Sequence, residues 1–180
     1  MPKNASIGNL KKLTQRVWTE QDDADYAEAL LEESDRSIAL MSVHQLDKHL
    51  RELFEALMIG LSQDEYDRLF TGQGPLASFG HKIQLGYALG LYPAEVAKNL
   101  DHMRQIRNVF AHSHGLLSFD TPEIAAVCKL FPAPPPDDCP YSRFMYQTYI
   151  LSLALVTKAI EIIEAKLPAP EKKKRAKRKS

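Results

Sequence analysis

Arg107, Asn108 and His112 lie at the end of one helical run, Ile106-Arg107-Asn108-Val109-Phe110-Ala111-His112. An arginine supplies a permanent cation with a fork of donors that suits a phosphate or a carboxylate. A histidine changes charge near neutral pH and so moves protons. An asparagine four residues before it lies one helical turn away and can orient it. The set could grip a phosphate and move a proton. It could equally hold helices together, with His112 at a helix C-terminus where the dipole favours a cation, and Arg107 tying a neighbouring helix or a second copy. On an ideal helix Arg107 and His112 stand about 140° apart, whereas Arg104, Asn108 and His112 follow one another at four-residue steps. His114, just beyond, is an exposed helper at most.

These residues need a helical frame, and the sequence supplies one. Residues 10–18 and 22–33 read as short amphipathic helices. Ser34 or Asp35 caps a longer run in which Ile38, Met41, Leu46, Leu50, Leu53, Phe54, Leu57, Met58 and Leu61 recur at three- and four-residue steps. His44, Lys48 and Glu52 fall on its solvated flank. Ser62 and Glu65 stand in capping-box register for a helix to Phe70. The glycines and proline of 71–75 make a turn; they lack the spacing and the preceding strand of a phosphate loop. A helix over 79–91 carries Gly86 and Gly90 four apart, a pair that admits a close neighbouring helix; Gly90 also suits the approaching C-terminus of that helix.

Pro93 opens the helix that runs to His112, with Val96, Leu100, Met103, Ile106 and Phe110 inward. Thr121 as cap, with Pro122 and Glu123, opens a short helix to about residue 130. Five prolines in 131–140 make a stiff crossing. The last helix, 141–167, is apolar on several sides, so it lies centrally or pairs with a second copy. No strand alternation and no internal repeat appears. The expected fold is all-α, a single-domain bundle of about six to eight helices over residues 1–170.

Residues 171–180 differ in kind. Of the 23 basic and 23 acidic side chains, seven basic and one acidic fall there, which leaves 16 and 22 over residues 1–170. An acidic body thus bears a basic arm: Lys172, Lys173, Lys174, Arg175, Lys177, Arg178 and Lys179. Such an arm repels itself, buries nothing and is expected to be disordered. It suits nucleic-acid contact through counterion release, or a fold-back onto the acidic body. Cys128 and Cys139 have neither a CxxC partner nor nearby histidines, so no metal is expected, and no other cofactor. No apolar run reaches the length of a membrane span, and no signal peptide is read at the start; a cytoplasmic setting is expected.

A resemblance sharpens this. Gly74-Pro75-Leu76, Phe79, Lys82-Ile83, the block Tyr87-Ala88-Leu89-Gly90-Leu91, Leu100 and the run 106–112 together resemble the mannitol operon repressor family. The match covers about 40 residues in order and spacing. Lys82 stands where that family typically has Arg, and Val109 where an acid is usual. The run 106–112 also resembles the wider HEPN superfamily, small all-α proteins marked by Arg, four to six residues, then His. Many of those are metal-independent ribonucleases in which Arg and His from two subunits share a cleft.

Two functions are therefore expected as alternatives. The first is a regulator in transcriptional control that works through a protein partner or ligand; no helix-turn-helix with a basic reading helix is evident. The second is a ribonuclease or RNA-binding protein that uses Arg107, Asn108 and His112. The resemblance also implies a homodimer.

Overall fold

In the computed structural model, the structure describes residues 34–58, 60–113, 115–131 and 138–167. The expected helices at 10–18 and 22–33 and the basic arm lie outside the described residues. The described part is all-α, as expected. Its helices are α1 (Asp35–Leu57), α2 (Gln63–Phe70), α3 (Phe79–Ala88), α4 (Ala94–His112), α5 (Pro122–Cys128) and α6 (Pro140–Lys166).

The three long helices make the core. α1 packs between α4 and α6, α3 lies across α4 and α1, and α5 lies against α6 and α4. The reason is the width of the apolar stripe on α1. Ile38, Ala39, Val43, Leu46, Leu50, Leu53 and Phe54 are all buried, enough for two neighbours. On α4 the buried positions are Asn99, Leu100, Met103, Ile106 and Phe110. Phe119 closes the far end, with ring centroids 5.2 Å from Phe110 and 4.8 Å from Phe144. Each such ring contributes about 1.5–3 kcal/mol by leaving water.

Capping chemistry sets most helix starts. Ser34 Oγ accepts from the Ser37 amide at 3.3 Å, so Ser34 is the cap of α1. Asp35 instead accepts from the Phe119 amide at 2.8 Å, which pins the loop beyond α4 to α1. The Ser62–Glu65 capping box forms in full. Thr121 stands at the cap of α5 without capping it. Its hydroxyl accepts from the Ser118 amide at 3.1 Å and serves the preceding turn instead.

Two ends differ from expectation. α1 stops at Leu57 rather than near residue 61; Lys166 reaches from α6 to the carbonyl of Met58 at 3.1 Å, satisfying one of its last acceptors. α3 stops at Ala88, because Gly90 takes φ +69° and the Leu91 amide closes back onto Gly86 O at 3.0 Å. Gly86 and Gly90 are therefore not a helix-packing pair. A β-carbon on Gly86 would sit 2.3 Å from Tyr92 Oη, so Gly86 admits the phenol of Tyr92 rather than another helix. That hydroxyl donates to Ile83 O at 3.0 Å, and burial pushes it well above the usual phenol range.

Among the described residues, α6 is covered on one face only. Phe144, Gln147, Thr148, Leu151, Leu155 and Ala159 face the core. Leu153 and Ile160, 51% and 50% exposed, head an uncovered apolar stripe with Tyr149 and Ile163. Among the described residues the helix is not enclosed, so the expectation of a central position is not met.

Candidate functional site: a groove between two helices

The order of α3 and α4 creates the site. α3 is short, and the turn at 89–93 folds α4 back beside it. Its first turn then lies against the middle of α4, and a groove of about 600 Å³ opens between them. Ser78, Gly80, His81 and Gln84 form the α3 wall. Asp101, Arg104, Arg107 and Asn108 form the α4 wall.

Lys82, on the other face of α3, anchors this wall. Its side chain is 3% exposed, and its ammonium donates to Leu76 O at 3.0 Å. It lies 3.0 Å from Asp47 Oδ1 on α1, a charge contact rather than an aligned hydrogen bond. Lys82 thus joins α1, α3 and the loop before α3 through one buried cation. A buried ammonium needs such partners to persist.

Within the groove, Arg104 is held and Arg107 is not. Arg104 donates to Asp101 Oδ1 from Nε at 2.8 Å and lies 2.7 Å from it through Nη2. Gln105 donates to Oδ2 at 2.6 Å. Burial works to raise the Asp101 carboxyl, but the hydrogen bonds from Arg104 and Gln105, with the charges of Arg104 and His102, hold it below the usual range. The stem of Arg104 lies on the first turn of α3, where a β-carbon on Gly80 would touch its Cδ at 3.6 Å. Arg107 is half-buried, lines the groove, and has no hydrogen bond or ion pair among the described residues. Asn108 is also half-buried beside it.

The end of α3 that faces these guanidiniums is itself positive. Ser78 Oγ accepts from the His81 amide at 3.1 Å, but the first turn carries no acidic side chain. Helix N-termini carry roughly half a positive charge. Two guanidiniums, the first turn of α3 and a single carboxylate, Asp101, thus line one groove.

His112 stands outside this groove. It is exposed at the end of α4, one turn beyond Asn108, where α3 no longer forms a wall. The chain just past it is tied down: Arg36 Nη2 donates to Ser113 O at 3.1 Å and to Gly115 O at 3.0 Å. The structure thus brings Arg107 and Asn108 together and leaves His112 apart within one copy. Sequence reasoning passed over His81, Gln84 and Asp101 as site residues. The only signal was that His81 and Gln84 fall inside the 74–91 block, and that Asp101, Arg104 and Asn108 recur at three and four residues. The basic-arm residues lie outside the described part. Among the described residues, no helix is long and apolar enough to cross a membrane.

A second groove, about 380 Å³, runs between Tyr92, Pro93 and Val96 on one side and the uncovered stripe of α6, Ile150 and Leu153, on the other. Lys158 and Glu161 rim it, paired at 3.0 Å.

The chain matches no protein-family model and no curated protein. Among solved structures, the X-ray structure of the MtlR-HPr complex from Escherichia coli is similar. Identity is 19%, with 74% of this chain and 90% of that chain covered and a TM-score of 0.48. A likeness at that level carries no functional argument.

Proposed function

We propose that this chain is a regulatory binding protein of the mannitol operon repressor type, acting in transcriptional control through a protein partner or ligand rather than by cleaving RNA. One observation carries the preference over catalysis. Arg107 faces a groove that His112 does not enter, so the pair that a single-copy ribonuclease would need is divided. Phosphodiester cleavage by a ribose hydroxyl needs a proton acceptor beside the cation that holds the phosphate. The resemblance of residues 74–112 supports the regulatory type, and that block supplies residues that shape the groove. Its Lys82 anchors α3, its Gly86 receives Tyr92, and its Arg107 and Asn108 line the groove. Self-association belongs to the same reading, through the uncovered stripe of α6.

A ribonuclease assembled from two copies is the second reading. Its support is that Arg107 has no partner among the described residues, as a phosphate-binding arginine of a composite cleft would be. The test is incubation of the full chain with single-stranded RNA in EDTA, beside His112→Ala and Arg107→Ala. The regulatory reading expects intact RNA throughout. Chelator-resistant cleavage by the parent chain, lost in both variants, overturns it.

A further inference from the structure

We infer that the groove between α3 and α4 is a binding site for the phosphate group of a small phosphorylated molecule, with Arg107 and Arg104 as its cationic contacts and His81 at its edge. The charge arrangement points there. Arg107 has no described partner, and Arg104 gives Nε and Nη2 to Asp101 while its Nη1 has no described acceptor. Against these two cations stands one carboxylate, Asp101, already accepting from Arg104 and Gln105. The first turn of α3 adds its own positive end and no acid. With Arg104 balanced by Asp101, the groove keeps the charge of Arg107 uncompensated among the described residues, which favours an anion there. Two guanidiniums three residues apart on one wall offer several N–H donors to one anion, which suits the many acceptor lone pairs of a phosphate.

Size and neighbours favour a molecule over a bare ion. A volume of about 600 Å³ lies inside the range of small-molecule sites, roughly 300–1,000 Å³. Gln84, Asn108 and Ser78 line the rest with neutral donors and acceptors, which suits a hydroxyl-bearing body. His81 lines the groove and so stands near the phosphate, whereas His112 lies beyond it at the end of α4.

The inference goes beyond the regulatory reading and fails separately from it: loss of phosphate binding leaves the RNA assay untouched. The experiment is a titration calorimetry series on the full chain at low ionic strength, with ribose 5-phosphate, inorganic phosphate and ribose as probes. The expected result is saturable binding of ribose 5-phosphate, weaker binding of inorganic phosphate, and none of ribose. Arg107→Gln is expected to weaken the ester by about tenfold or more, the scale of one charge-assisted contact. Arg107→Lys, which keeps the charge but loses the fork, is expected to fall between. Because Arg107 has no described hydrogen bond or ion pair, its variants should melt with the parent chain. Absence of saturable binding overturns the inference. So does equal binding by Arg107→Gln, which would put the phosphate on the basic arm. Inorganic phosphate binding as tightly as the ester overturns the assignment to a small phosphorylated molecule.

Discussion

Removing the Lys82 ammonium tests the frame on which the groove depends. Lys82→Met keeps the buried stem and deletes a charge that is 3% exposed. Two partners at 3.0 Å lose it, Leu76 O and Asp47 Oδ1. An abandoned buried carbonyl costs about 1–3 kcal/mol. Breaking a fully buried ion pair from one side costs about 3–5 kcal/mol. Asp47, however, keeps 30% of its side chain exposed and can rehydrate. The expected loss for Lys82→Met is therefore about 2–3 kcal/mol, below the full figure.

The reciprocal change should cost more. Asp47→Ala leaves the ammonium in place with one carbonyl and no counter-charge, at 3% exposure, so the full penalty of about 3–5 kcal/mol applies. The more exposed partner is thus the more damaging one to delete. Urea unfolding followed by circular dichroism, with shared m-values, measures both, and the melting temperature should fall by roughly 3–5 °C per kcal/mol. A double variant should lose less than the two singles combined, by about 1 kcal/mol or more. If Asp47→Ala proves no worse than Lys82→Met, the buried-cation reasoning is refuted.

Gly86→Ala should destabilise by about 1–3 kcal/mol, since its new carbon meets Tyr92 Oη at 2.3 Å; pairing it with Tyr92→Leu should recover most of that in the same unfolding assay. Asp101→Asn should cost under about 1 kcal/mol, because the Asp101 side chain is 40% exposed. Its folded carboxyl lies below the ordinary value of 3.8, so its stabilisation is present above that pH and lost as pH falls through the folded value; parent and variant stability curves should converge below about pH 3.8. Leu153→Glu with Ile160→Glu should convert a dimer to a monomer by sedimentation equilibrium while leaving the helical spectrum intact, since both side chains are half exposed. Deleting residues 171–180 should abolish low-salt retention on single-stranded nucleic acid; in the full chain log affinity should fall with log salt at a slope up to about 5, for seven basic groups at roughly 0.7 each.

The fold was legible because its signals are local. The steps of α1, the Ser62–Glu65 box and Pro93 before α4 each state a helix within a few residues. What failed needed tertiary neighbours. Thr121 is a good cap by type, yet a turn three residues upstream takes its hydroxyl. Gly90 does mark the end of α3, as its type allows, but the spacing of Gly86 and Gly90 is that of a helix-packing pair and Gly86 instead meets Tyr92. Nothing in the sequence tells whether a glycine admits a helix or a phenol ring.

The site was half legible for a related reason. Helical spacing compares angles around one axis, and by angle Asn108 and His112 share a face. Whether a residue lines a groove depends also on position along the axis and on what stands opposite. α3 spans ten residues, about 15 Å, and its first turn reaches only the level of Arg104 to Asn108. His112 lies about 6 Å further along α4, past that wall. Lengthening or shortening the 89–93 turn would slide α3 along α4 and change which α4 residues face it. The turn that Gly90 makes is thus what puts His81, and not His112, on the groove that Arg107 lines.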